Sequence, residues 1–129
     1  MILDASAIVA ILEAEPEAAA FADLIEAAAM RRLSPINLLE AHIVARRRGD
    51  EGVQRLNAFL TDMQVVIEPV DSVQAAAARE AFDRFGKGRH KAGLNLADCF
   101  AYALSKTRAE PLLFKGDDFT QTHVLRVTY

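Results

Sequence analysis

The chain predicts an α/β fold with a mainly parallel sheet covered by helices on both sides. Short apolar strand-like segments alternate with longer segments of helical periodicity. Several of those helices also begin on recognisable capping residues, such as Ser34-Pro35, Asp71-Ser72 and Asn95. A length of 129 residues fits one domain over 1–129.

Met1–Leu3 reads as the start of a buried strand, and Ala5–Leu12 continues at helical density until Glu15-Pro16. Pro16 suits the first turn of the next helix, where Phe21, Leu24, Ile25 and Ala28 share one face. Arg32-Leu33 is a short strand. Ser34 then caps a helix with Pro35 at its first position, running to Arg48 and stopped by Gly49. Val53, Leu56, Leu60 and Met63 mark a further amphipathic helix, and Gln64–Ile67 a β-branched strand ended by Pro69. Asp71-Ser72 opens a helix carrying Val73, Ala77, Ala78, Phe82 and Phe85. A loop rich in glycine and positive charge covers Gly86–Gly93. Asn95 caps the next helix, with Ala97, Phe100, Ala101 and Leu104 on one side. Leu112–Phe114 is another buried strand, and Val124–Val127 an edge strand.

Composition narrows the function classes. Hydrophobic residues make up 52%, enough for a core without staples. The single cysteine, Cys99, excludes an internal disulfide and thiolate zinc clusters, and suits a reducing compartment. No basic leader precedes the first apolar residues and no apolar run approaches membrane length, so a cytoplasmic location is expected. The net charge of −3 gives no general argument for nucleic acid, yet its distribution is uneven. Residues 1–30 hold six acids and no lysine or arginine. Basic residues gather at Arg46-Arg47-Arg48 and at Arg84, Lys87, Arg89, His90 and Lys91. The first cluster closes a helix C-terminus, where positive charge is favourable anyway. The second can follow a polyanion or simply be solvated.

Four acidic positions stand where a parallel α/β fold could gather them, because ligands of such folds sit beyond the carboxyl ends of the strands. Asp4 follows the first strand, and Asp117 and Asp118 follow Leu112–Phe114. Asp98 lies three residues after Asn95, as in a capping box. Each of these is also explicable as a cap or turn residue. Glu40 is harder to explain so, since Ile36, Ile43 and Val44 surround it on its helix and suggest that it faces the interior. Carboxylates brought together repel, and a divalent cation relieves the repulsion. Oxygen-only donors suit Mg²⁺ or Mn²⁺, and such ions promote phosphodiester hydrolysis.

Taken in order, Met-Ile-Leu-Asp4-Ala-Ser6-Ala, Glu40, the run Gly86-Lys-Gly-Arg-His90-Lys-Ala-Gly93-Leu-Asn-Leu-Ala-Asp98-Cys99 and Leu112-Leu-Phe-Lys-Gly116-Asp-Asp-Phe119 resemble the PIN domain, and within it the VapC-type toxins of toxin–antitoxin pairs. The resemblance spans essentially the whole chain. It implies a three-layer α/β/α fold and a Mg²⁺- or Mn²⁺-dependent endoribonuclease. It also implies a homodimer inhibited by a VapB-type antitoxin. Asp4, Glu40, Asp98 and Asp118 match the family's acidic quartet, as catalytic and metal-holding residues. Asp118 is favoured over Asp117 because it directly precedes Phe119. Ser6 matches a hydroxyl position that supports the metal, with Asp117 as a neighbour. A non-catalytic RNA- or protein-binding module is the competing reading, and it would not need a divalent ion.

Overall fold

The computed structural model describes all residues, 1–129. Four short parallel strands form one sheet: β1 (Ile2–Leu3), β2 (Arg32–Leu33), β3 (Val66–Ile67) and β4 (Leu112–Leu113), in the order β3-β2-β1-β4. In register, Ile2 lies beside Arg32 and Leu112, and Leu3 beside Leu33 and Leu113. Successive strand residues point to opposite faces. Ile2 and Leu112 therefore join one buried cluster, and Leu3, Leu33 and Leu113 the other.

The two clusters define the outer layers. On the Ile2 face lie α5 (Ser72–Phe85) and α6 (Leu96–Arg108), through Ala78, Ala81, Phe85, Tyr102 and Leu104. On the Leu3 face lie α1 (Ala5–Leu12), α2 (Ala18–Ala27), α3 (Pro35–Arg46) and α4 (Gly49–Asp62), through Ile8, Phe21, Ile25, Ala41, Leu56 and Phe59. This is the three-layer α/β/α arrangement expected.

Local chemistry sets the helix starts. Ser34 accepts from the Ile36 N–H at 3.4 Å with Pro35 following, and Asp71 accepts from Gln74 N–H at 2.8 Å. Asn95 and Asp98 exchange both capping-box bonds, at 2.8 and 2.9 Å. Gly49, at φ +69°, turns the chain from α3 into α4. Gly52 lets α4 close on α3, since a Cβ there would stand 2.2 Å from the Ala45 carbonyl oxygen.

Several boundaries differ from expectation. α2 begins only at Ala18, with Glu17 as its N-cap, so Pro16 lies in the turn before the helix, and β4 stops at Leu113, one residue before Phe114. α3 stops at Arg46, two residues early, because the Gly49 turn needs Arg47 and Arg48 as its approach. Gln64 adopts φ +51° and ends the α4 turn, so β3 holds only Val66 and Ile67, both partly exposed on the sheet edge. The Val124–Val127 segment makes a single parallel bridge, Leu112 to Arg126, and forms no full strand. No helix is long and apolar enough to cross a membrane.

Candidate active site

The parallel sheet brings the carboxyl ends of β1, β2 and β4 to one edge, and three loops leave it side by side. The first carries Asp4. As N-cap of α1 it accepts from Ser6 N–H at 3.0 Å and from the Ser6 hydroxyl at 2.5 Å. Its other oxygen accepts from Asn37 Nδ2 at 3.0 Å. Asp4 is buried, and burial pushes its carboxyl above the ordinary range, against the pull of the Ser6 hydrogen bonds.

The Ser6 hydroxyl also accepts from Lys115 N–H at 3.0 Å, tying the loop after β4 to the loop after β1. That tie holds the Asp117–Asp118 turn beside Asp4. The two acids then part. Asp118 is exposed and its charge bears on both Asp4 and Asp98. Asp117 lines a separate cleft with Phe114, Thr120 and the C-terminal residues Val124–Tyr129. The structure thus brings Asp118, not Asp117, to the other carboxylates.

Asp98 enters from the first turn of α6 and is buried. Its pKa is raised to about 7, first by burial and then by the charges of Asp4, Asp118 and Glu40. The backbone bond from Asn95 opposes the shift without cancelling it. Cys99, next along, is a buried free thiol pushed to about 11 by burial, which makes it a packing residue and not a nucleophile.

Glu40 corrects the expectation that it faces the interior. It is half-buried, and its neighbours Leu39 and Ile43 are 58% and 54% exposed. The buried stripe of α3 is Asn37, Ala41 and Ala45, set against α1. Glu40 instead lies in a groove between α3 and α6, with Ile36, Leu39, Ile43, Asn95 and Leu96. Burial and the charge of Asp4 raise its pKa.

Asn37 is a site residue that sequence reasoning missed. Its amide fixes Asp4, and its Oδ1 is buried with no hydrogen-bond partner. An orphaned buried carbonyl is costly and marks a position made for something else. The available signal was an amide on the small-residue stripe of α3, one turn before Glu40.

None of Asp4, Glu40, Asp98 and Asp118 has a Lys, Arg or His nitrogen within 4 Å. Nor do three His, Cys, Asp or Glu side chains close tightly enough to cage an ion by themselves. The donor set is oxygen throughout, uncompensated, and accompanied by the free Asn37 carbonyl. This suits a hard cation that keeps most of its own water, as Mg²⁺ does, and not a fully ligated structural metal.

Residues 1–125 match the model of the PIN domain. The chain is 45% identical over 128 residues to a ribonuclease VapC of Mycolicibacterium smegmatis, spanning 98% of this chain and 99% of that one. It is 48% identical to ribonuclease VapC28 of Mycobacterium tuberculosis, spanning 98% and 96%. Among solved structures, VapC20 of Mycobacterium tuberculosis, described as a Sarcin-Ricin loop cleaving toxin, superposes with a TM-score of 0.79 at 17% identity. That match covers 99% of this chain and 98% of that one. A toxin–antitoxin complex from Klebsiella pneumoniae gives 0.77 at 16%, covering 99% and 97%. At such identities these likenesses speak to the fold.

Proposed function

The chain belongs to the PIN-domain family, alongside the VapC ribonucleases, and on that premise we propose that it is a divalent-metal-dependent endoribonuclease, the toxin of a VapBC-type pair. The observation that carries the reading is the uncompensated acidic edge, where Asp98 is driven to about 7 by burial and by three neighbouring carboxylates. A fold does not keep charges in that state for stability, and perturbed carboxylates in a cleft mark a working site.

In this reading Asp4 and Asp98 would hold Mg²⁺ or Mn²⁺, with Glu40 and Asp118 supporting. When bound, the cation would supply Lewis acidity toward water and toward the scissile phosphate. The chain's own groups do the rest. Ser6 and Asn37 fix both oxygens of Asp4, so that its orientation is set before any ligand arrives. Glu40, half-exposed at the groove, would accept a proton from the attacking water. The exposed apolar side chains Leu39, Ile43 and Leu96 flank Glu40 and offer cover for a VapB-type antitoxin or a second copy in a homodimer. The buried thiol of Cys99 suits the reducing cytoplasm.

The test is cleavage of single-stranded RNA by purified protein with Mg²⁺, with chelator as control. Asp4→Asn and Asp98→Asn should each lower the rate on the order of a hundred- to a thousandfold, as loss of a preorganised charge-stabilising group does. Circular dichroism should stay unchanged. Wild-type rates in both variants, or cleavage indifferent to chelator, would remove the proposal and favour a binding module.

A further inference from the structure

The acidic edge has a basic neighbour. α5 ends and α6 begins at the same side of the sheet, and Gly86–Gly93 joins them just ahead of Asn95 and Asp98. On this loop Lys87, Arg89 and Lys91 are exposed, and none makes an ion pair. Asp83, one turn back on α5, offers only its backbone oxygen, to Arg89 Nε at 3.1 Å. By contrast, Arg46 and Arg48 of the other basic cluster are taken up by Asp50 and Glu13.

The three cations sit on a rigid frame. Lys87 N–H and Leu94 N–H bond across the loop to Leu94 and Phe85 oxygens, both at 2.9 Å. The Gly86 oxygen accepts from both Arg89 and His90 N–H, at 2.9 and 3.1 Å. Gly88, at φ +83°, permits the tight return. His90 Nδ1 accepts from Ala92 N–H at 3.0 Å, and its ring stands edge-on to the buried Phe85 at 5.2 Å. His123 meets the same phenyl ring at 5.5 Å while contacting Arg84 at 3.0 Å. A floppy solvated loop has no need of such bracing. The braced backbone fixes where the three cations leave the loop, so little backbone freedom is lost when they bind an anion.

We propose that Lys87, Arg89 and Lys91 form a phosphate-binding exosite that holds the backbone of single-stranded RNA beside the carboxylate edge. The inference rests on the ribonuclease reading above. An uncompensated acidic cleft repels a polyanion, and fixed positive charge next to it supplies the attraction that brings the strand in. The contacts are to phosphate, so they add affinity without choosing a sequence.

The test compares the full-length protein with a Lys87→Gln/Arg89→Gln/Lys91→Gln variant on a fluorescent single-stranded RNA. The control variant, matched in charge, is Arg46→Gln/Arg55→Gln/Lys106→Gln, at exposed positions outside the loop and outside the groove around Glu40. With Mg²⁺, the loop variant should raise KM about tenfold or more while kcat stays within about twofold. In the Asp98→Asn background with chelator, its plot of log affinity against log salt should be shallower by roughly 2, from about 0.7 per phosphate lost on a single strand. The control should move neither. Equal effects from the control would make this a matter of net charge and overturn the exosite. So would an unchanged KM and salt slope in the loop variant, including the case where only binding of an acidic polypeptide is lost. A parent protein that does not cleave RNA at all would instead overturn the ribonuclease reading.

Discussion

Around Arg32 the carboxylates are matched by cations; around Asp4 they are not. Arg32, in β2, lies between Glu68, which follows β3, and Glu110, which precedes β4; Arg108 holds the other oxygen of Glu68 at 2.7 Å, and the Met1 ammonium meets Glu110 at 2.7 Å. Glu68 is buried there with every oxygen engaged. Asp4 and Asp98 are as buried, yet surrounded by acids. The same side-chain types thus make an ion-paired edge in one place and an uncompensated one in the other. What separates them is the presence of a cation within reach.

The largest way to break the contrast is to uncouple the matched edge. Arg32→Met should cost about 3 kcal/mol, since one oxygen of Glu68 and one of Glu110 lose their partner, leaving Glu68 only Arg108 and Glu110 only the Met1 ammonium. Urea unfolding measures this, and RNA cleavage per folded molecule should not change. A cost below about 1 kcal/mol would mean that the network is as dispensable as a surface pair.

The next concerns pH at the unmatched edge. Asp98 titrates near 7 when folded and at 3.8 in the free group, so the folded state binds the extra proton between those values. Metal-free protein should therefore be most stable, in this contribution, below about pH 4, and lose stability as pH rises through 7. Asp98→Asn should flatten that part of the profile in chelator, and saturating Mg²⁺ should offset the loss above pH 7. A stability profile of Asp98→Asn with the wild-type slope would assign the pH effect elsewhere.

The smallest effect belongs to neither edge. Arg46→Ala removes an exposed i,i+4 pair with Asp50 and should change stability by only a few tenths of a kcal/mol. A larger loss would show that exposed pairs matter here more than the contrast allows.

The sequence made the layer order and the positions of Asp4, Asp98 and Asp118 readable, because strand ends and N-caps leave local signatures. Asp4 and Asp98 are caps in the structure as well. The environment of Glu40 was not readable. Helical periodicity weights large apolar residues, and around Glu40 these are Ile36, Leu39 and Ile43, which surround an open groove. The buried side of α3 is built from Asn37, Ala41 and Ala45, whose small size lets α3 approach α1. A small-residue interface inverts the usual inference from hydrophobicity. Asn37 was lost for the same reason, since its role is visible only once Asp4 is opposite it. The separation of Asp117 from Asp118 likewise depends on the turn that follows Gly116, at φ +98°.

The Ser6 hydroxyl joins residues 109 positions apart, and the acidic set is contributed by the beginning, middle and end of the sequence. No chain lacking its last strand and the turn after it can assemble that set. During synthesis the polypeptide therefore carries scattered, hydrated carboxylates, and they become a single acidic cluster only when β4 docks against β1.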